Sequence, residues 1–224
     1  MITTTAYGKE IITVALGYAK GWREQNCKEN NVDCYKYLFD NDYNKVIGNP
    51  WCAFFSTAVV NRAGDNIGLK CPIAFQGSSK AVVAFARKYG LRVDRTPAIG
   101  CLFWYPTGDA TGHMGIPIWM NENGLYTVEG NSSDALMCNG CPKNAVAVLG
   151  SNTVRSYKSL QNKDTVYVHI EEFGNTPYVD VDNIFGKGVS TGQQAEQVLN
   201  AGITPFGALL LTSAVIGGIV YATS

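Results

Sequence analysis

The chain has 224 residues, of which 46% are apolar, 16% are charged and 11% are aromatic. This composition excludes an intrinsically disordered chain, and the length allows one domain of ordinary size together with further segments. The formal net charge is zero, which argues against a nucleic-acid partner. Residues 1–170 carry a small basic excess, which would suit a weakly anionic polymer but is more typical of an ordinary solvated surface.

The first predicted elements are two helices separated by a polar stretch. Residues 7–22 carry apolar side chains at steps of three and four, which predicts an amphipathic helix. Residues 26–49 are rich in Asn, Asp and Lys and are predicted to form a long loop. We expect the second helix to be capped by Asn49, to have Pro50 in its first position and to stop at Gly64.

A third helix is predicted over residues 79–89, and short segments rich in β-branched and aromatic residues follow it. In one of these segments Pro117 lacks the N–H that a ladder needs, so that strand is expected to lie at an edge or to contain a bulge. Asn123 and Gly124 are typical of a hairpin turn. The predicted strands are Cys101–Tyr105, Met114–Met120, Leu125–Glu129, Ala145–Leu149 and Thr165–Phe173. Helices followed by an antiparallel sheet predict an α+β domain over residues 1–172.

The last part of the chain differs in composition from the rest. Residues 173–202 are expected to form a linker, and residues 203–222 form an apolar run with Thr204, Thr212 and Ser213 as its polar side chains. As a helix this run would be roughly 30 Å long, close to the hydrocarbon thickness of a bilayer. We therefore predict a membrane anchor, with a buried helix or a hydrophobic interaction tail as the alternative.

Cys52 is the candidate nucleophile. It falls in the first turn of the second predicted helix, where unpaired N–H groups and the positive end of the helix dipole stabilise a thiolate. Backbone N–H groups at the same place can also hold an oxyanion. The alternative is that Cys52 is a small buried apolar residue, as cysteines often are.

His113 is the candidate base, because it is flanked by glycines at positions 112 and 115 that leave room for the imidazole to face a cleft. His169, the other histidine, is interpreted as a structural or surface residue in the middle of a strand. A cysteine hydrolase also needs a third group that orients the histidine ring. Glu129 and Asn131 share one face if residues 127–131 form a regular strand, and either side chain could provide that group.

Four blocks in this order resemble the CHAP family, the cysteine- and histidine-dependent amidohydrolases and peptidases. The blocks are Pro50–Phe55, Pro97–Trp104, Gly112–Ile116 and Val128–Asn131, and the resemblance covers roughly residues 7–170. It implies a papain-like α+β fold in which N-terminal helices pack on an antiparallel sheet. It also implies Cys52 as nucleophile, His113 as general base, and Glu129 or Asn131 as the orienting residue.

Members of the CHAP family cleave peptidoglycan at the amide between N-acetylmuramic acid and L-alanine or within its peptides, and many are phage lysins. The chain departs from the family pattern at Cys101, where members often carry Asp, and at Pro117 in the histidine strand. Some relatives bind calcium before the nucleophile, but Asp40–Asp42 is only loosely similar to that site, since Lys45 stands where an EF-hand has Gly.

Four further cysteines form two loose pairs, Cys27 with Cys34 and Cys138 with Cys141. They could bind zinc, but only the second pair has a metal-knuckle spacing, so free thiols or late disulfides are the favoured interpretation. We therefore expect no cofactor. Residues 1–20 lack the features of a secretory signal, which predicts synthesis in the cytosol with reduced thiols.

The resemblance and the apolar tail together predict a peptidoglycan hydrolase in a phage particle, anchored in a lipid membrane through residues 203–222 and acting at the bacterial cell envelope. Other virion proteins are possible partners. Two alternatives stay open. The chain could be a virion structural or membrane protein that retains the fold without turnover, or a cysteine protease that acts on proteins.

Overall fold

A computed structural model describes residues 3–18, 49–122, 124–133, 144–149, 155–156 and 160–181. The helices are α1 (Ala6–Tyr18), α2 (Cys52–Asn66), α3 (Ser79–Lys88) and a 3₁₀ helix (Ile170–Asn175). The strands are β1 (Thr3–Thr5), β2 (Val93–Asp94), β3 (Leu102–Pro106), β4 (Gly112–Asn121), β5 (Gly124–Ser133), β6 (Asn144–Leu149), β7 (Arg155–Ser156), β8 (Val166–Val168) and β9 (Tyr178–Asp180).

The main sheet of the described residues has the strand order β2-β8-β3-β4-β5-β6, and β7 pairs with β5. Every pair in it is antiparallel. Helix α2 packs on α1 and on the central strands β4 and β5. The predicted α+β class, with N-terminal helices on an antiparallel sheet, is therefore confirmed.

Helix α1 buries the apolar stripe that its sequence predicts. Tyr7, Ile11 and Ala15 recur at steps of four and are completely buried in the main core. The Tyr7 hydroxyl donates to the carbonyl of Val60 in α2 at 2.7 Å, which satisfies the buried phenol and joins the two helices. The predicted extension of this helix to residue 22 and the predicted loop over residues 26–49 lie mostly outside the described residues.

Helix α2 begins later and ends later than predicted. Its first residue is Cys52 and its N-cap is Trp51, so the predicted cap at Asn49 and first position at Pro50 are wrong. Gly64 is a buried residue inside the helix, which continues to Asn66, so the predicted stop is also wrong. The glycine is needed for packing, because a Cβ at this position would stand 2.3 Å from the Leu69 carbonyl oxygen.

Helix α3 starts and stops almost as predicted. The Ser78 hydroxyl caps its first turn by accepting the Ala81 N–H at 3.2 Å. Gly90 follows the helix in the left-handed region, with φ of 73°. The Leu91 N–H then bonds to the Ala86 carbonyl at 2.9 Å, which closes the C-terminal end.

Two irregularities interrupt the central strands. The register between β4 and β5 shifts between Pro117 and Trp119, which confirms the predicted bulge at this proline. The register between β5 and β6 shifts between Glu129 and Ser132, and Asn131 has a φ of 53° there. This second bulge breaks the alternation of side chains that the sequence predicts for residues 127–131.

The last described segment differs from its prediction. The strand predicted over residues 165–173 is wrong beyond residue 168, because the chain turns there into the 3₁₀ helix. The predicted linker is wrong for its first residues, since β9 pairs with β1 and Val181 is completely buried in the core. The folded unit therefore extends past residue 172 to at least Val181.

In the part of the chain that the structure describes, no helix is long and apolar enough to cross a membrane. The predicted anchor at residues 203–222 and the remainder of the predicted linker lie outside that part.

Candidate active site

The sulfur of Cys52 lies at the start of α2, in a nearly closed environment. Cys52 is 6% exposed, and Trp51 beside it is 1% exposed. The Trp51 ring packs edge-on against Phe55 with ring centroids 6.5 Å apart. These aromatic contacts fix the first turn of the helix and limit the access of water to the thiol.

The first turn of α2 also offers backbone donors. Hydrogen bonding within the helix begins with the Phe55 N–H, which donates to the Trp51 carbonyl at 2.9 Å. The N–H groups of Cys52 and Ala53 lie ahead of this bond, where an α-helix provides no intrahelical acceptor. Two N–H donors next to the sulfur are the requirement for an oxyanion site.

His113 stands between Glu129 and Cys52. Its Nε2 lies 2.7 Å from Glu129 Oε2, which leaves Nδ1 as the nitrogen available to a second partner. Cys52 is near enough to contribute to the raised pKa of His113, and its sulfur lies 3.8 Å from the carbonyl oxygen of Gly112, the residue before His113. On the far side, the Thr127 hydroxyl donates to Glu129 Oε1 at 2.5 Å. Three of the four site residues predicted from the sequence are thus brought into one chain of contacts.

The register of β4 against β5 explains why Glu129 reaches His113. Ile116 pairs with Val128, which brings Gly115 beside Glu129. A Cβ at position 115 would stand 2.6 Å from Glu129 Cγ and 2.7 Å from the Phe103 ring. The glycine therefore leaves the space through which the carboxylate passes to the imidazole two residues earlier on β4.

Of the two orienting residues left open by the sequence, Glu129 contacts His113. Asn131 is half-buried in the bulge that follows it. Gly130, between them, lies against α2, because a Cβ there would stand 2.5 Å from Phe55 Cβ. The close approach of strand and helix at Gly130 sets the distance between the element that carries Glu129 and the element that carries Cys52.

The environment of His113 favours its charged form. Burial alone would lower its pKa, but hydrogen bonds to Cys52 and Glu129 and the negative charge of the carboxylate raise the pKa to about 9. Glu129 is completely buried. The rings of Tyr105 and Phe103 flank the imidazole with centroids at 5.5 Å and 6.3 Å. Low exposure strengthens the attraction between imidazolium and carboxylate.

A second set of contacts, which the sequence did not predict, surrounds the carbonyl of Gly112. The hydroxyl of Ser79 at the start of α3 donates to this oxygen at 3.0 Å, and Trp104 Nε1–H donates to the Ser79 hydroxyl at 3.0 Å. Cys52 Sγ lies 3.8 Å from the same oxygen. Ser79 directly follows the capping Ser78, and no sequence pattern marks it as a functional residue. Only the packing of α3 on β3 and β4 brings it to the Gly112 carbonyl.

His169 lies at the other end of the sheet and is completely buried. Its predicted position in the middle of a strand is wrong, because β8 ends at Val168 and His169 caps the 3₁₀ helix. Its Nε2 is 3.0 Å from Asp94 Oδ1, and its Nδ1 is 2.9 Å from Glu171 Oε1 and 2.8 Å from Arg92 Nη2. In the described residues, His169, Glu171 and Glu172 are close enough together to offer metal ligands. The Arg92 guanidinium already lies among them, since the same Nη2 is 2.6 Å from Glu172 Oε1.

The remaining described cysteines are free and buried. Burial raises the pKa of Cys71, and burial raises that of Cys101 well above its ordinary value. Cys101 packs in a small apolar cluster with Phe103 and Tyr105, so it carries no charge toward the site. Cys27, Cys34, Cys138, Cys141 and the Asp40–Asp42 segment lie outside the described residues, together with the zinc and calcium sites considered for them.

No model of a known protein family matches the chain, and neither a curated protein nor a solved structure with significant similarity to it was found.

Proposed function

We propose that this chain is a cysteine-dependent hydrolase of peptide or amide bonds. Cys52 is the nucleophile, His113 exchanges protons with it and with the leaving amine, and Glu129 orients His113. The observation that carries the proposal is the hydrogen bond of 2.7 Å between His113 and the buried Glu129 carboxylate, directly beside the Cys52 thiol at the start of α2. A nucleophile, a base and an orienting group in contact are the arrangement that activates a thiol.

The raised pKa of His113 defines the resting state of this mechanism. With a pKa of about 9, the imidazole holds a proton at neutral pH. In the proposed mechanism this proton comes from the Cys52 thiol, while Nε2–H donates to Glu129. His113 therefore acts first as a base toward Cys52 and then as an acid toward the leaving amine.

The reaction follows from this pair in two halves. The thiolate attacks the carbonyl carbon, and the N–H groups of Cys52 and Ala53 hold the oxyanion. His113 then gives its proton to the leaving amine, which leaves a thioester on Cys52. A water molecule, deprotonated by the now neutral His113, attacks the thioester and releases the acid and the thiolate.

We propose peptidoglycan as the substrate, in a papain-like architecture of the CHAP type. The support is the four ordered sequence blocks, together with a helix-borne cysteine that meets a histidine on an antiparallel sheet. The bond is either the N-acetylmuramoyl-L-alanine amide or a bond within the wall peptides. A virion location, with residues 203–222 as a membrane anchor, belongs to the same proposal and rests on the composition of that segment.

The test is clearance of bacterial walls by the full chain and by Cys52→Ala, in a zymogram and in a turbidity assay. We expect clearance by the wild type and none by Cys52→Ala. Cys71→Ala is the matched control, because it removes another buried free thiol and should retain clearance once its folding has been verified. Equal clearance by wild type and Cys52→Ala, or no clearance by either, would contradict the proposal.

Mass spectrometry of the released fragments identifies the bond. A free N-acetylmuramoyl end indicates an amidase, and new peptide termini indicate an endopeptidase. The non-catalytic alternative predicts no fragments from any preparation. A cysteine protease that acts on proteins would cleave denatured protein substrates and leave walls intact.

A further inference from the structure

The carbonyl oxygen of Gly112 is a shared acceptor directly beside the nucleophile. It accepts from the Ser79 hydroxyl at 3.0 Å, and Cys52 Sγ lies 3.8 Å away as a competing S–H donor. Gly112 also precedes His113 in β4. A side chain that fixes the position of this peptide group therefore affects both Cys52 and His113.

We propose that Ser79, held by Trp104, is a positioning residue that satisfies the Gly112 carbonyl and thereby favours the Cys52 thiolate. The inference rests on the proposed function, because it assigns Ser79 a part in activating the same nucleophile. It adds a residue that the sequence did not single out, on an element outside the line of Cys52, His113 and Glu129.

The direction of the Ser79 hydrogen follows from its neighbours. Trp104 Nε1–H is a donor only, so it occupies a lone pair of the Ser79 oxygen at 3.0 Å. The single hydroxyl hydrogen is then free to point to the Gly112 oxygen at 3.0 Å. A donor that is itself accepting a hydrogen bond is polarised and donates more strongly.

The effect on the sulfur is electrostatic. The Gly112 carbonyl oxygen has two lone pairs, so it accepts from Ser79 and still faces the S–H of Cys52. The hydrogen of the Ser79 hydroxyl offsets part of the negative charge on this oxygen. It thereby weakens both the attraction for the thiol hydrogen and the repulsion of a thiolate. Ser79 is only 6% exposed, so water does not easily replace it.

The same contacts hold His113 in place. A Cβ at Gly112 would stand 2.2 Å from Trp104 Nε1, so the backbone of β4 lies directly on the indole. Ser79 fixes the carbonyl side of this peptide and Trp104 fixes the Cα side. The position of the imidazole relative to the sulfur is therefore set from α3 and β3 as well as from Glu129.

The charged groups near this carbonyl come from several elements. His113 on β4 follows Gly112 directly, and Glu129 on β5 lies behind its imidazole. Lys80 on α3 is directed away from the sulfur, because its ammonium donates to the Asp109 carbonyl at 3.3 Å.

The test is the pH dependence of Cys52 alkylation by iodoacetamide in the full chain. The Cys52 peptide is quantified by mass spectrometry, which separates it from the other six cysteines. We expect Ser79→Ala to move the acidic limb of the Cys52 alkylation profile to higher pH by about half to one unit. The alkylation rate at pH 6 should then fall roughly three- to tenfold. Ser79→Thr keeps the hydroxyl and should restore the wild-type limb.

Ser78→Ala is the matched control. It removes the neighbouring hydroxyl, which caps α3 through the Ala81 N–H and has no recorded contact with Gly112. It should lower the thermal midpoint and leave the alkylation limb unchanged. If Ser79→Ala does not fold, Trp104→Phe removes the donor to Ser79 and should move the limb in the same direction by a smaller amount.

The proposal is refuted if the acidic limbs of Ser79→Ala and the wild type superimpose, or if Ser78→Ala moves the limb equally. It is refuted as well if Ser79→Thr behaves as Ser79→Ala. Because alkylation needs no wall substrate, these results do not depend on peptidoglycan cleavage. If the chain does not clear walls but Ser79→Ala shifts the alkylation limb as expected, peptidoglycan is refuted as the substrate. If the chain clears walls but Ser79→Ala leaves the limb unchanged, the role of Ser79 is refuted.

Discussion

Replacing Glu129 with Gln tests the central contact of the site with the smallest change in shape. The carboxylate is completely buried and lies 2.7 Å from His113 Nε2. Gln has nearly the same volume but no charge. The Thr127 hydroxyl donates to Glu129 Oε1, so the carbonyl oxygen of Gln is expected to keep that bond and to direct its NH₂ group toward His113.

The size of the effect can be estimated from this geometry. A hydrogen bond to a charged group contributes about 1.5–3 kcal/mol, and one pKa unit corresponds to about 1.4 kcal/mol. The His113 pKa should therefore fall from about 9 to roughly 7–8. In addition, an NH₂ group facing Nε2 favours the tautomer with the proton on Nδ1, which cannot take the proton of the Cys52 thiol.

The assay is kcat/KM for wall hydrolysis between pH 5 and 10, together with the alkylation profile of Cys52. We expect the alkaline limb to move down by about one to two pH units and kcat/KM at pH 8.5 to fall at least about threefold. Glu122→Gln is the control, because it makes the same chemical change at an exposed residue. An alkaline limb that stays near pH 9 in Glu129→Gln would refute the role assigned to this carboxylate.

Three further predictions concern the residues around this contact. Asn131→Ala should cost about 1 kcal/mol of stability, because Asn131 has a φ of 53°, while Asn131→Gly should cost less. Both variants should keep the alkaline limb of kcat/KM; urea unfolding and the pH profile of kcat/KM check this, and a limb shifted by both variants would contradict it. Gly115→Ala should lower the free energy of unfolding by about 1–3 kcal/mol, because its Cβ would stand 2.6 Å from Glu129 Cγ. It should also shift the alkaline limb of kcat/KM as Glu129→Gln does. A stable variant with an unchanged limb would show that Glu129 does not need the space that Gly115 leaves. The raised pKa of His113 contributes stability that is fully present below pH 6.5 and is lost as pH rises through about 9. The thermal midpoint should therefore fall between pH 7 and 10, and it should fall less in Glu129→Gln. Equal falls in the two proteins would exclude His113 as the source of this pH dependence.

Local features of the sequence predicted most of the elements and three members of the site. The stripe of Tyr7, Ile11 and Ala15 determines which face of α1 is buried, because a helix repeats every 3.6 residues whatever it packs against. Ser78 and Gly90 act within one turn of α3, so its ends could be placed from neighbouring residues alone. Pro117 required a bulge because a missing N–H is a property of the residue itself.

Contacts between distant residues decided what the sequence left open or predicted wrongly. β9 joins the fold because Asp180 pairs with Thr3, a pairing that no local pattern near residue 180 encodes. Gly64 is typical of a helix end, yet it lies buried inside α2, where the Leu69 carbonyl oxygen leaves no room for a Cβ. Thr3 is far from Asp180 in the sequence, and the chain folds back to bring Leu69 against Gly64. Both contacts therefore exist only in the folded chain.

By itself, the sequence determined that Cys52 lies in the first turn of a helix, that His113 lies where a loop meets a strand, and that an acid and an amide follow at the next strand. Only the tertiary structure decided that Glu129 is the group that meets His113, because the bulge at Gly130 and Asn131 breaks the strand alternation and Gly115 opens the path for the carboxylate. It also brought Ser79 and Trp104 to the Gly112 carbonyl. Helix and strand periodicity act over a few residues, whereas hydrogen bonds at an active site join side chains whose distance is set by the packing of separate elements.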